Sequence, residues 1–143
     1  MTEFTRIGVL GAGAWGTALA ASLYNKTANG TDSIPVWALE AEVADALTAG
    51  NGNPAYLSGV ALPRMQASTD IAILDGCDAV LAVVPAQFAR TMLSQLAPHL
   101  GEGTPVLLCA KGIERNSLSF MTDVLRDTIP HAVPAVLSGP SFA

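Results

Sequence analysis

The sequence is poor in charge, and its basic residues are especially few. Only 13% of the 143 residues are charged, seven of them lysine or arginine against twelve aspartate or glutamate, and the formal net charge is −5. A surface that binds nucleic acid needs many lysine and arginine side chains to neutralise phosphates. The composition therefore argues against a nucleic-acid partner and favours a small molecule.

Cysteines and long apolar runs are scarce as well. The two cysteines, Cys77 and Cys109, lie in or beside apolar runs and fit no CxxC or Cys/His metal spacing. We expect reduced, buried thiols and no metal site. No segment has the roughly 18 uninterrupted apolar residues of a membrane span, and the amino terminus lacks the pattern of a signal peptide. These absences predict a cytoplasmic protein with no membrane partner.

The order of apolar and amphipathic segments predicts the fold. The length suits a single domain over residues 1–143. Short runs of valine, isoleucine and leucine alternate with stretches of helical periodicity, as in βα units around a buried parallel sheet. We therefore expect an α/β fold with a doubly wound, mostly parallel sheet of the Rossmann type. The predicted strands are 6–10, 34–38, 65–68, 79–84, 105–110 and 135–137. The predicted helices are 15–25, 40–49, 85–96 and 118–128, and turn-rich loops cover 25–33 and 51–63.

A G-x-G-x-x-G motif at residues 11–16 lies directly between the first predicted strand and the first predicted helix. In this context Gly11 permits a tight turn, Gly13 lets a pyrophosphate approach the backbone, and Gly16 allows the helix to pack on the strand. The pyrophosphate would meet free N–H groups at the positive end of the helix. The alternative is a glycine-rich turn without a ligand.

An acidic residue follows the second predicted strand. In a dinucleotide-binding unit, such a residue accepts hydrogen bonds from the adenosine ribose, whereas an arginine there favours a 2′-phosphate. Glu40 has this position, and Arg64 is the next arginine along the chain. Glu40 could instead only cap the following helix. If it binds the ribose, NAD should bind better than NADP.

Three further strands end in residues that could line a cleft, because ligands bind at the carboxyl ends of parallel strands. Pro85 opens a helix after one strand, and Gln87 and Phe88 behind it could be site residues or ordinary surface and core residues. Lys111 follows the next strand and could bind phosphate or only extend into solvent. Ser138 to Ser141 follow the last strand and, with Lys111, make an anion site plausible. We expect His99 and His131 to be non-catalytic.

Five blocks of the sequence occur in the order seen in a known family. They are GAGAWGTALA (11–20), NPAYLSG (53–59) followed by Leu62-Pro63, AVVP (82–85), KGIE (111–114) and SGPSFA (138–143). Together they resemble the NAD(P)-dependent glycerol-3-phosphate dehydrogenases, especially the bacterial type. The resemblance covers essentially the whole chain, and the KGIE and SGPSFA blocks distinguish it from dinucleotide-binding folds in general.

The resemblance implies reversible hydride transfer between glycerone phosphate and sn-glycerol 3-phosphate, a precursor of glycerophospholipids. It implies that Lys111 touches both the cofactor and the phosphate-bearing substrate. Of the candidate cofactor residues, the glycine motif and the strand ends give Gly11, Gly13, Ala14, Gly16, Glu40 and Pro85, and the resemblance adds Trp15, Lys111 and Ala143. The substrate residues that the resemblance implies are Lys111, Gly139 and Ser141. The family's proton-transferring lysine belongs to a helical second domain expected after Ala143, so we predict no catalytic residue in this chain and no turnover by it alone. A homodimer of the full-length enzyme is compatible with the resemblance.

The sequence departs from the family at two points. Position 14, often serine in relatives, is alanine here, which leaves the pyrophosphate to backbone amides. Relatives often have a basic residue in the stretch occupied by Leu39 and Glu40, and a carboxylate there should repel the 2′-phosphate of NADP. Either NAD or NADP remains possible as the cofactor, and we predict NAD. Two alternatives to this family are a dehydrogenase of the 3-hydroxyacyl-CoA or 6-phosphogluconate kind and a non-catalytic dinucleotide sensor.

Overall fold

The computed structural model describes residues 4–26 and 34–139. In this part of the chain six strands form one parallel sheet in the order β3-β2-β1-β4-β5-β6. The strands are β1 (Ile7–Leu10), β2 (Val36–Trp37), β3 (Ala67–Ser68), β4 (Ala79–Ala82), β5 (Pro105–Leu108) and β6 (Val133–Val136). This is the strand order of dinucleotide-binding domains, and it reverses between β1 and β4. The predicted doubly wound fold is confirmed.

Four helices cover the two faces of the sheet. They are α1 (Ala14–Tyr24), α2 (Ala41–Ala49), α3 (Ala86–Leu96) and α4 (Met121–Thr128), with short 3-10 helices at Ile71–Leu74 and Ala97–His99. Successive strand residues point to opposite faces, so Val9 packs with α1 and α2 while Leu10 packs with α3 and α4. Both cores are rich in fully buried aliphatic side chains.

Several predicted boundaries were wrong by a few residues. β2 and β3 are paired over only two residues each, and Pro35, inside the predicted second strand, has no N–H for a ladder. β4 and β5 end two residues early, and β6 covers 133–136 instead of 135–137, with Pro134 tolerated because β6 is an edge strand. α4 begins at Met121 and not at Leu118, because Leu118 has a φ of 58°, which a right-handed helix does not allow.

The 3-10 helix Ile71–Leu74 was not predicted. Asp70 caps it, since its carboxylate accepts a hydrogen bond of 3.0 Å from the N–H of Ala72. Aspartate before an apolar run is a usual signal for the start of a helix, so this 3-10 helix could have been predicted from the sequence. Within the described ranges no helix is both long and apolar enough to cross a membrane.

Asp78 joins the beginnings of the two central strands, β1 and β4, by hydrogen bonds, an arrangement called the Asp78 clasp below. Its carboxylate accepts hydrogen bonds from the N–H and hydroxyl of Thr5, both at 2.8 Å, and from the N–H of Arg6 at 3.1 Å. Burial by itself would raise the pKa of Asp78, but these hydrogen bonds outweigh it and hold the pKa below its ordinary value. The clasp fixes β1 beside β4 at the end of the sheet opposite the cavity described next.

Candidate dinucleotide site

A cavity of about 640 Å³ opens at the carboxyl ends of β1 and β4. The strand order reverses at this point, and ligands of doubly wound sheets bind there. It is lined by the glycine loop (residues 11–16), the end of β2 and the start of α3. Its described lining consists of Gly11, Ala12, Gly13, Ala14, Trp15, Gly16, Trp37, Leu39, Glu40, Tyr56, Val83, Val84, Pro85, Phe88, Met92, Cys109 and Ala110.

The glycine loop, residues 11–16, is shaped by close backbone contacts. Gly11 has a φ of 117°, and a Cβ there would lie 2.4 Å from the carbonyl oxygen of Val83. A Cβ at Gly16 would lie 1.8 Å from the carbonyl oxygen of Gly11. These contacts require glycine, because no side chain can replace them without moving backbone. The turn and packing roles predicted for Gly11 and Gly16 are therefore present.

Gly13 differs from its two neighbours in the motif. A Cβ at this position would meet no protein atom within 4 Å, so the fold itself does not require glycine there. Gly13 is the N-cap of α1, and no side chain caps this helix end. The first-turn N–H groups, which lack partners inside any helix, thus belong to residues that line the cavity. The arrangement can accept an anion close to the backbone.

A buried asparagine supports the glycine loop from outside. Asn53 is 1% exposed, and its Nδ2 donates to the carbonyl oxygen of Ala12 at 3.0 Å and to Oγ1 of Thr17 at 2.9 Å. Thr17 Oγ1 in turn donates to the same carbonyl at 3.2 Å. Asn53 was predicted to lie in a loop and within a block shared with the family, but nothing in the sequence indicated this supporting role.

Glu40 lies at the opposite wall of the cavity, at the N-cap position of α2. Its side chain makes no capping hydrogen bond, which counts against the interpretation of Glu40 as a helix cap. Instead its Oε1 accepts a hydrogen bond of 2.7 Å from the hydroxyl of Tyr56. This hydrogen bond, and secondly the negative charge of Glu40, raise the pKa of Tyr56. Tyr56, which also lines the cavity, was not predicted to belong to this wall.

The described lining of the first cavity is mainly apolar. Glu40 is the one charged side chain among its described lining residues. Arg64 is held elsewhere, because its Nε donates to the carbonyl oxygen of Thr48 at 2.7 Å. Thr48 is in the last turn of α2, about 12 Å along the helix axis from Glu40.

Pro85 and Phe88 form the third wall together with Val83, Val84 and Met92. Pro85 is the N-cap of α3 and not, as predicted, its first residue. Phe88 is 64% exposed and borders the cavity, so it is not a core residue, and its role as a site residue stays a prediction. This wall is apolar.

A second cavity of about 600 Å³ adjoins the first and shares Trp15 and Cys109 with it. The other described lining residues are Leu19, Lys111, Leu137, Ser138 and Gly139. The fold therefore brings Lys111 and the chain after β6 to one place, as the strand ends predicted. Ser141 and Ala143 lie outside the described residues.

The two thiols have different environments. Both are free, and burial raises the pKa of each to about 11. Cys77 is buried, as predicted, but Cys109 is only half-buried because it borders both cavities. No group of three or more His, Cys, Asp or Glu residues suited to a metal ion occurs in the described ranges.

The segment 111–120, called the lysine loop below, is attached to α3 by hydrogen bonds. Gln87 donates from Nε2 to the carbonyl oxygen of Ile113 at 2.9 Å and accepts at Oε1 from the N–H of Arg115 at 3.0 Å. Gln87 is therefore neither a lining residue nor an ordinary surface residue.

Both histidines make contacts away from the two cavities. Nδ1 of His99 lies 2.6 Å from Oδ1 of Asp75, and Nε2 of His131 lies 3.2 Å from the carbonyl oxygen of Leu100. Neither histidine lines either cavity. That they have no catalytic role stays a prediction.

Comparison with known proteins gives concordant matches. The family described as NAD-dependent glycerol-3-phosphate dehydrogenase N-terminus matches residues 6–143. The chain is 51% identical over 144 residues to the NAD(P)+ glycerol-3-phosphate dehydrogenase of Maricaulis maris, and 50% identical over 145 residues to that of Hyphomonas neptunium. Both alignments cover 100% of this chain and 42% of the relative. The crystal structure of glycerol-3-phosphate dehydrogenase from Coxiella burnetii matches with a TM-score of 0.82 and 30% identity, over 97% of this chain and 42% of that one. The chain thus spans less than half the length of these relatives.

Proposed function

Since the chain belongs to the family of NAD-dependent glycerol-3-phosphate dehydrogenase N-terminal domains, we propose that it binds the dinucleotide of an enzyme that interconverts glycerone phosphate and sn-glycerol 3-phosphate. Such an enzyme serves glycerophospholipid synthesis. The observation that carries the proposal is Gly13, which lines the cavity but has no protein neighbour that demands glycine. A ligand in contact with the backbone explains this glycine. Family membership favours this activity over that of the two other dehydrogenase kinds considered above.

The walls of the first cavity suit the parts of a nicotinamide dinucleotide. The pyrophosphate would lie on the amides of Gly13, Ala14 and Trp15, at the uncapped start of α1. The adenosine ribose would lie at Glu40, and Pro85 would border the nicotinamide side. The bound cofactor supplies the hydride, and the chain's own residues bind and orient it.

The second cavity suits the phosphate-bearing substrate. Lys111 is the one charged side chain among its described lining residues, and Gly139 is part of the same lining. We propose that Lys111, Gly139 and Ser141 contact the substrate and that Lys111 and Ala143 also contact the cofactor. Trp15 and Cys109 border both cavities, so the two ligands would be neighbours, as hydride transfer requires.

We further propose that NAD is preferred over NADP. A 2′-phosphate at the ribose would lie near the Glu40 carboxylate, which Tyr56 holds at the cavity wall. Like charges repel, so the carboxylate disfavours a phosphate beside it. The described lining of this cavity offers no basic side chain to offset the repulsion.

Tryptophan fluorescence tests the proposal directly. Trp15, 58% exposed, and Trp37, 7% exposed, both line the first cavity, so quenching should report its occupancy. We expect saturable binding of NADH, with a dissociation constant at least about tenfold below that of NADPH, or about 1.4 kcal/mol. Glu40→Arg should reverse the order of the two constants. Glu42→Arg, an exposed change in the first turn of the same helix, is the matched control and should leave the order unchanged.

Gly13→Ala separates binding from folding. Because its Cβ has room in the protein, thermal unfolding should stay close to that of the wild type while NADH affinity falls at least about tenfold. Unchanged affinity would show that the backbone at this position does not approach a ligand. Failure of the folded wild-type chain to bind either dinucleotide would overturn the proposed function, and a preference for NADPH would overturn only the role of Glu40.

A further inference from the structure

The lysine loop is attached to α3 by two side chains one helical turn apart. Gln87 binds the backbone on both sides of Glu114, as described above. Arg90 binds the Glu114 carboxylate itself, from Nε to Oε1 at 2.8 Å and from Nη2 to Oε2 at 2.9 Å. It also reaches Oδ2 of Asp127 in α4 at 3.2 Å. Paired, bidentate hydrogen bonds of this kind fix orientation as well as distance.

The loop so attached is internally closed. The N–H of Glu114 donates to the carbonyl oxygen of Ser119 at 3.0 Å, and the N–H of Leu118 donates to the carbonyl oxygen of Glu114 at 2.8 Å. Ile113 and Phe120 form an antiparallel bridge, and the hydroxyl of Ser117 donates to the Glu114 carboxylate. Glu114 therefore anchors the whole loop, and the anchor lies three positions after Lys111.

The same helix also borders the first cavity. Pro85, Phe88 and Met92 line the cavity, whereas Gln87 and Arg90 face the lysine loop. Neither Gln87 nor Arg90 is among the described lining residues of the two cavities, so both would act on the ligands only through the lysine loop. α3 thus fixes the cofactor wall and the lysine loop relative to each other.

From this geometry we propose that Gln87 and Arg90 are positioning residues that hold Lys111 against the bound cofactor. The inference rests on the proposed function, because it takes the cofactor to occupy the first cavity. The residues do not touch the ligands themselves. Their effect is on where the lysine ammonium lies when the cavity is filled.

The chain offers an internal standard for a test, since Lys26 and Lys111 are its only lysines. Lys26 is exposed after α1 and lines neither cavity. Trace acylation with acetic anhydride, followed by mass spectrometry, gives the labelling ratio of the two lysines with and without saturating NADH. In the wild type, NADH should lower the labelling of Lys111 relative to Lys26 several-fold.

The decisive variant is the double change Gln87→Leu with Arg90→Met. It should lose most of the protection of Lys111 although tryptophan quenching still shows the cavity saturated with NADH. Arg126→Met is the matched control, because Arg126 forms a 3.0 Å ion pair with Asp123 on the exposed side of α4; it should keep the wild-type protection. Gln87→Glu, which retains the acceptor for Arg115 and loses the donor, should give an intermediate loss and serves if the double variant does not fold.

The outcomes separate the inference from the function. Full protection in a double variant saturated with NADH overturns the positioning role and leaves the proposed function intact. Absence of protection in a saturated wild-type chain overturns the contact between Lys111 and the cofactor, and the positioning role with it. Absence of NADH binding overturns the proposed function itself. Faster amide hydrogen exchange at Glu114 and Leu118 in the double variant supports the attachment independently of any ligand.

Discussion

The glycine loop and the lysine loop border adjoining cavities, but they are held in different ways. Backbone atoms in steric contact fix Gly11 and Gly16, both of which are buried. The lysine loop is mostly exposed, and side chains from α3 hold it through hydrogen bonds. Backbone packed directly on backbone leaves no room for an added atom. The loss of a hydrogen bond, by contrast, weakens the attachment of a loop only in part. A change in the glycine loop should therefore abolish the candidate site, whereas a change in the lysine loop should only alter it.

The largest expected effect tests the steric side of this comparison. Gly16→Ala would place a Cβ 1.8 Å from the carbonyl oxygen of Gly11, so α1 must shift away from the strand. We expect a loss of about 3 kcal/mol or more in the free energy of unfolding, together with loss of NADH binding. Urea denaturation measures the first quantity and tryptophan quenching the second.

A second glycine provides the control for this change. A Cβ at Gly101 would meet only Oγ1 of Thr104, at 3.7 Å, which is an ordinary contact. Gly101→Ala should change the unfolding free energy by less than about 0.5 kcal/mol. Equal effects at Gly16 and Gly101 would show that the glycine loop relaxes, and the contrast between the two regions would disappear.

An intermediate effect is expected where the glycine loop does depend on a side chain. Asn53→Ala removes both hydrogen bonds of Nδ2 and leaves the buried carbonyl of Ala12 with fewer partners. The expected loss is about 1–3 kcal/mol in the unfolding free energy, measured by denaturation. The exposed neighbour Asn51→Ala is the matched control, and a loss of the same size there would contradict the supporting role of Asn53.

The smallest expected effect concerns the lysine loop and depends on pH. The hydrogen bonds from Arg90 and then Ser117 lower the pKa of Glu114 from 4.5 to about 2. A carboxyl group whose pKa is lowered by folding stabilises the fold at pH values above its unfolded pKa. This contribution should fall away as the pH drops from 4.5 towards 2.

Glu114→Gln provides the measurement. The difference in unfolding free energy between the wild type and Glu114→Gln should be constant near neutral pH and shrink between pH 4.5 and about 2. Since Arg90 is partly exposed, the difference should also decrease with added salt. A difference that stays constant over the acidic range would mean that the ion pair does not hold the loop.

The fold was predictable because its signals are local. Apolar strands, the glycine motif and the chain order βαβ all lie in short stretches of sequence, and they lead to the observed sheet. Boundaries were less predictable, as Leu118 shows, because its left-handed conformation is imposed by the closed lysine loop and not by its own preference.

The supports of the candidate site were not predictable in the same way. Asn53 bonds Ala12 across 41 positions, and Arg90 bonds Glu114 across 24. Nothing in the composition of either segment indicates its partner, since such contacts exist only once the sheet has brought the segments together. The Tyr56 contact with Glu40 spans 16 positions and has the same origin.

The Asp78 clasp also has a consequence for how the protein forms during synthesis. It joins Asp78 to Arg6, 72 positions apart, and closing a chain segment of that length costs about 4 kcal/mol of entropy. β1 and α1 leave the ribosome early, but their central partner β4 follows much later. The glycine loop thus has its opposing wall only after residues 79–85 have been translated. Nucleotide binding should therefore appear late and abruptly in a nascent chain.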